Sequence, residues 1–166
     1  MGDLANFSKG SGYSKSDLTD SGHPIILYGQ LYTNYQTEIS QVNTFVSNDN
    51  KAVKSQGNEV IVPASGEAAE DIARASAVTI QGIIIGGDLN IIKTNPNINS
   101  VFLALSISNG SQQKLLASKA QGKSVVHLRN NDLKEVLLTY PKIQEQQKIG
   151  TFFTALDRYI TIHQHK

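Results

Sequence analysis

The sequence predicts a mixed α/β (α+β) domain, a twisted sheet with short helices, followed by a long C-terminal helix that forms or begins a coiled coil. Three observations predict it. Short β-branched runs bounded by Gly, Asn and Pro recur between residues 23 and 139. Short helical patterns interleave with them, which is the signature of a mixed class. After Pro141, apolar residues fall at Ile149, Phe153, Leu156 and Ile160, in the alternating steps of four and three that mark an a/d seam.

Length and composition set the frame. At 166 residues the chain is one domain with an appendage, long enough for a real core. With 39% hydrophobic and 17% charged residues it is an ordinary globular sequence. It has no cysteine, which excludes disulfides and thiolate metal sites. No apolar run approaches the ~18 residues of a membrane span, and the N-terminus lacks the basic-then-apolar layout of a signal peptide. The absence of targeting signals points to the cytoplasm. Net charge is +1, but its distribution is uneven. Residues 89–131 carry Lys93, Lys114, Lys119, Lys123 and Arg129 with no acid, whereas residues 1–50 are net acidic. Such a basic segment is either a phosphate-facing surface or a solvated face.

The elements follow in order. Residues 8–15 are a Gly/Ser loop presenting Lys9, Tyr13 and Lys15. Residues 23–33 read as the first strand, with Gly29 a bulge or a close backbone approach and Gln30, Tyr32 and Tyr35 emerging near its end. Residues 42–46 can form a short strand, and 59–62 a strand closed by Pro63. Residues 67–77 are alanine-rich enough for about two helical turns. Residues 78–80 and 83–85 are apolar strands, and Gly86-Gly87 reads as a tight turn that pairs 83–85 with 89–93 as a hairpin. Continuous apolar runs of this kind belong in a sheet covered on both faces. A helix over 101–108 stops at Asn109-Gly110, and a second follows over 111–118. Residues 120–124 are a small basic turn, 125–128 a strand and 135–139 the last strand before Pro141 opens the terminal helix.

Enzyme motifs are absent. Gly122-Lys-Ser124 ends like a phosphate-binding loop but has Ala117 where the motif needs its first glycine. His23, His127, His163 and His165 include no pair with zinc-helix spacing, and the last two read as a solvated tail. Glu67, Glu70 and Asp71 cluster without a metal partner and read as a solvated face. No catalytic residue, metal site or cofactor is expected.

The C-terminal stretch Tyr140-Pro-Lys-Ile-Gln-Glu-Gln-Gln-Lys-Ile149, followed by Phe152-Phe153 and Leu156-Asp157-x-x-Ile160, resembles the junction of type I restriction-modification specificity subunits. There a recognition domain ends in Pro-x-x-x-Glu-Gln-x-x-Ile, and a spacer helix carries Leu-Asp-x-x-Ile. The run-in from Gly122 to Leu133 and the opening Gly2-Asp-Leu-Ala-x-Phe-x-x-Gly10 are similar to the same family, while residues 36–110 match only in texture.

The resemblance implies a target-recognition domain over residues 1–140 and the start of a spacer helix over 141–166. It implies a non-catalytic reader of one half of a split site on double-stranded DNA, directing a methyltransferase subunit and also a restriction subunit. Specificity subunits of this family carry two recognition domains, so this chain reads as a fragment or as a half-length subunit that pairs with itself. The second domain is then supplied in cis or by a homodimer through the C-terminal helix. Lys9, Lys15, Lys119 and Lys123 are the phosphate candidates, and Tyr13, Gln30, Tyr32 and Gln121 the base-reading ones. Glu145, Ile149, Phe153, Leu156 and Ile160 are the helix-interface candidates. The competing reading is a protein- or small-ligand-binding module that dimerises through its C-terminal helix.

Overall fold

The computed structural model describes residues 1–164, so the expected tail residue His165 and the last residue of the 141–166 segment lie outside the described residues. In chain order the elements begin with β1 (Ala5–Lys9), a 3-10 turn (Lys15–Asp17), β2 (Leu18–Thr19), β3 (His23–Ile26) and α1 (Gln30–Thr33). There follow β4 (Glu38–Ile39), β5 (Phe45–Val46), β6 (Lys54–Gln56), β7 (Glu59–Pro63), β8 (Ser65–Gly66) and α2 (Ala69–Ile72). Next come β9 (Ser76–Val78), β10 (Gln81–Ile85), β11 (Leu89–Thr94), α3 (Ser100–Ser108) and α4 (Gly110–Lys119). The chain closes with β12 (Val126–His127), α5 (Asn130–Lys134) and α6 (Ile143–Gln164).

The strands form two five-stranded sheets rather than the single one expected, in the orders β1-β11-β7-β9-β4 and β2-β5-β3-β10-β6, with β12 and β8 as a separate pair. The pleat explains the layering. On β7, Val60 and Val62 turn into a core shared with α3 and α4, where Leu103, Ile107 and Leu116 are buried. Ile61 between them turns the other way, into a core with Leu31 of α1 and Ile26, Ile83 and Ile85 of the second sheet. Ile92 and Ile91 on β11 divide likewise, as period-two side-chain geometry requires. The first sheet is thus covered on both faces, which is why Glu59–Pro63 is buried at every position. Each fully buried Val, Leu or Ile contributes about 1.5–3 kcal/mol of transfer free energy.

Several elements differ from the sequence expectation, each for a local reason. Residues 83–85 and 89–93 do not form a hairpin: β10 pairs with β3 and β6, and β11 with β1 and β7. Gly86 still donates to Ile26 O at 2.9 Å as part of the second sheet, whereas Leu89 O accepts from Gly10 N at 3.0 Å in the first. The chain therefore crosses between sheets at residues 86–88. It passes so close to the N-terminal loop that a Cβ on Gly10 would fall 1.8 Å from Gly86 O. The strand expected over 23–33 ends at Ile26, because the Gln30 side chain captures the Leu27 N–H at 2.8 Å and the chain turns into α1. Gly29 is the residue before α1, neither a bulge nor a point of close approach, since nothing lies within 4 Å of where its Cβ would be.

The helix expected over 67–77 is one turn, α2; Ser76 then joins β9 and ties to Gln36 O at 2.6 Å, so burial of Ala73, Ala75 and Ala77 overrides alanine propensity. No strand forms over 135–139. Asp132 caps α5 by accepting from Arg129 N at 2.8 Å, Leu133 and Val136 turn into the helix-side core, and Leu137 is left 80% exposed. Among the described residues, no helix is long and apolar enough to cross a membrane.

Candidate nucleic-acid interface

Five loop segments meet where the chain crosses between the sheets. The first is the Gly/Ser loop after β1. Ser11 N donates to Ile85 O at 2.9 Å, and Ser11 Oγ accepts from Val53 N at 3.1 Å, pinning the loop over β10. Gly87 lies beside it, close enough that a Cβ there would sit 3.4 Å from Ser11 O. The Tyr13 ring packs on the outer core of the second sheet while its hydroxyl donates to Asn48 O at 3.1 Å. Lys15 opens the 3-10 turn, fully in solvent; Asp17 at its end is held below the usual carboxylate range by the backbone and hydroxyl of Ser14. Lys9, the last residue of β1, is exposed opposite Asn90.

From residues 86–88 the contacts continue to β8. Asp88 O accepts from Ala64 N at 2.7 Å, and Asp88 Oδ2 from Ser65 Oγ at 3.3 Å. Ser65 O in turn accepts from the Tyr32 hydroxyl at 2.9 Å. Tyr32 is edge-on to Tyr28, ring centroids 6.3 Å apart, and its phenol is pushed up to about 12, by burial first and the nearby Asp71 carboxylate second. It is a fixed donor at any physiological pH. Gln30 has both ends of its amide engaged: Oε1 accepts from Leu27 N, and Nε2 donates to Thr44 Oγ1 at 3.0 Å.

The fifth segment is the turn over residues 121–127. Gln121 and His127 exchange both backbone hydrogen bonds, at 3.0 and 2.8 Å, and β12 pairs with β8. Gly122 takes φ +142°, and a Cβ there would fall 1.8 Å from Val125 O, so the turn needs glycine. It presents Gln121, Lys123 and Ser124 to solvent. The chain leaving it is tied to the end of β1 and to β11. Leu128 O accepts from the buried Asn90 Nδ2 at 2.8 Å, and Asn130 Nδ2 donates to Ser8 O at 3.0 Å.

Backbone and side-chain contacts thus link the segments that carry Lys9, Tyr13, Lys15, Gln30, Tyr32, Gln121 and Lys123, although Gln30 and Tyr32, both in α1, line different clefts. Lys119 stands apart in pairing with Glu135, whose carboxyl it holds below the usual range. Lys9, Lys15, Lys123 and Arg129 make no ion pair among the described residues. Sequence reasoning counted Arg129 in the basic segment and Tyr28 in the first strand without placing either beside these loops; only the β8–β12 pairing and the α1 turn do so. The loops are not uniformly basic, since Glu67 and Asp71 line the cleft beside Tyr28 and Tyr32. Among the described residues no acid or histidine cluster could hold a metal ion.

The terminal helix docks on the domain by a face that the apolar pattern does not reveal. Gln146 is fully buried. Its Oε1 accepts from Asn99 N, and its Nε2 donates to Asn97 O and Pro141 O, each at 2.9 Å. Gly150 is buried against Val101, 3.3 Å from where its Cβ would be. Further on, Asp157 Oδ2 accepts from Thr37 Oγ1 at 3.0 Å, and Arg158 lies 3.8 Å from Glu38. Gln146, Gly150, Thr154 and Asp157 form a stripe turned about 90° from the seam of Ile149, Phe153, Leu156 and Ile160. Those four seam residues are 36–43% exposed, and Phe152, Tyr159 and Ile162 beyond them 61–64%. Glu145 is exposed in the first turn, where a carboxylate complements the helix dipole.

The sequence model of one family, described as the type I restriction modification DNA specificity domain, matches residues 1–166. No curated protein matches the chain at a significant level. Among solved structures, the chain is similar to one described as the structural basis of complex assembly and conformational transition of the type I R-M system (TM-score 0.67, 12% identity). It is also similar to the type I restriction-modification S subunit from M. genitalium (0.64, 17%) and to the HsdS subunit from Thermoanaerobacter tengcongensis (0.63, 12%). These likenesses cover 99, 94 and 97% of this chain but 38, 37 and 37% of the three others. The chain spans a little over a third of the solved chains it matches, and at these identities the likeness shows the fold.

Proposed function

Because the chain belongs to the type I restriction-modification DNA specificity domain family, we propose that it reads one half of a bipartite site on double-stranded DNA and has no catalytic role of its own. The observation that carries this reading is the linked set of segments at the sheet crossing, with Lys9, Lys15, Lys123 and Arg129 in no ion pair among the described residues. Cations without local partners are free to displace counterions from phosphates, which gives affinity and orientation. Base reading needs donors and acceptors not already spent. Gln121 meets that condition at the tip of the 121–127 turn, where its amide can make the paired contact to adenine N6 and N7. Tyr13, Gln30 and Tyr32 serve by holding their loops, since their polar atoms already bond within the domain. Lys119, matched by Glu135, contributes less to phosphate binding than Lys123.

In this reading residues 1–140 are the recognition domain and α6 is the root of a spacer. The partners are a methyltransferase subunit, a restriction subunit, and a second recognition domain supplied in cis or by a second copy through the seam of α6. Joining two weakly binding domains around one duplex supplies the affinity that one lacks.

The test combines the full-length protein with the methyltransferase subunit of its system and maps modified bases on plasmid DNA. Methylation at one split sequence is expected, with Gln121→Ala altering the preferred bases of one half. Methylation without sequence preference, or none, overturns the reading in favour of a protein-binding module.

A further inference from the structure

We infer that Thr37 and Asp157, with Glu38 and Arg158 beside them, form a clamp that fixes the direction in which α6 leaves the domain. This rests on the DNA-reading function proposed above, because the clamp then sets which separation of half-sites the protein accepts. The geometry has two parts. Near its start α6 is stapled by buried Gln146, whose amide bonds Asn99 N and Asn97 O of the domain as well as Pro141 O, and by the close approach of Gly150 to Val101. A single staple leaves a rod free to pivot. Asp157 lies eleven residues further, about 16 Å along the axis, and there the helix is held a second time, by the Thr37 hydroxyl at 3.0 Å.

The anchor on the domain side is rigid. Thr37 is 5% exposed, and its carbonyl accepts from Ala77 N at 2.8 Å where β4 joins β9. The next residue, Glu38, divides its carboxylate between the two neighbours: Oε1 accepts from Thr79 Oγ1 at 3.1 Å, and Oε2 faces Arg158 at 3.8 Å. Among the described residues no other side-chain hydrogen bond or ion pair joins this part of α6 to the domain. Open clefts flank it on both sides, one against Tyr35 and Phe102 and the other along Gln36–Ser40. The Arg158 pair is exposed and adds little alone, so direction depends on the hydrogen bond from buried Thr37 to the exposed Asp157 carboxylate.

A small pivot has a large reach. From Gln146 to Gln164 the helix runs about 27 Å, so a tilt of roughly 10° displaces its end by about 5 Å, more than the ~3.4 Å rise of one base pair. Half-site spacing is a matter of protein geometry of this kind.

The chain has no cysteine, so spin labels can be placed at two introduced sites, Asn58→Cys on the domain and Ile162→Cys on α6. With labelled chains diluted into unlabelled protein, so that only pairs within a chain are read, a narrow distance distribution is expected. Asp157→Ala and Thr37→Val should each broaden it by several ångströms. Asp157→Asn, whose amide oxygen still accepts from the Thr37 hydroxyl, should keep it narrow, which a general loss of helix stability would not do. An unchanged, narrow distribution in Asp157→Ala and Thr37→Val overturns the clamp. Methylation mapping supplies the functional arm: Asp157→Ala should leave both half-sequences intact and admit more than one spacing. If the parent protein methylates no split site, the DNA-reading proposal fails while the label distances still decide the clamp. If the parent does and Asp157→Ala keeps a single spacing, the clamp does not set it.

Discussion

Tyr32 places one phenol in two tasks: its hydroxyl ties α1 to β8, and its ring meets Tyr28 at the mouth of a cleft. Burial pushes its ionisation up to about 12, whereas an unfolded tyrosine loses its proton near pH 10. Between those values the unfolded chain sheds a proton that the native state keeps. The stability Tyr32 contributes is therefore intact below pH 10 and is lost as pH rises toward 12. A phenolate absorbance titration should show one of the six tyrosines ionising late, with Tyr32→Phe removing that phase; a single phase in the parent protein would refute the assignment. Tyr32 was legible from sequence only as an aromatic near a strand end. Gln30 was likewise legible only as a polar residue there, because its partners Leu27 N and Thr44 Oγ1 depend on a turn that the apolar run 25–32 conceals.

At the scale of elements, α6 shows what periodicity conveys and what it does not. Pro141, the helix after it and the apolar seam were all readable in the sequence, but the pattern alone left open whether that seam packs on its own domain. The docking residues are Gln146, Gly150 and Asp157, which a hydropathy pattern counts as polar or neutral. Gln146→Leu should cost about 2–4 kcal/mol, since it strands the Asn99 N–H and two carbonyls around an apolar side chain. The exposed neighbour Gln147→Leu should change the urea midpoint little, and equal effects of the two would deny the staple. Strand content was legible where runs were β-branched and buried, as in β7, β10 and β11. Strand partnership was not. Gly86-Gly87 has the composition of a hairpin turn and instead carries the chain between sheets, a choice made by the approach of Gly10.

For the whole molecule, the apolar stripe of α6 faces the domain across an open cleft at Ile149 and Phe153 and turns outward at Phe152 and Tyr159. Phe152 and Tyr159 are 64% and 61% exposed, and a stripe of that kind favours association. Sedimentation should show concentration-dependent self-association that Leu156→Asp with Phe153→Asp abolishes without changing the circular dichroism of the domain; a parent chain monomeric at all concentrations would assign the stripe to a different helix. The sheet crossing at Gly10 and Gly86 carries a further consequence, for how the protein tolerates change. Residues 10–11 and 86–88 are bonded into both sheets, so substitutions there disturb the two cores together. The tip Gln121–Ser124 is fastened only at its base, through Gln121 and His127. Side chains can therefore change at Gln121, Lys123 and Ser124 around a fixed Gly122 without disturbing either core, and new preferences can arise by point changes on an unmoved frame.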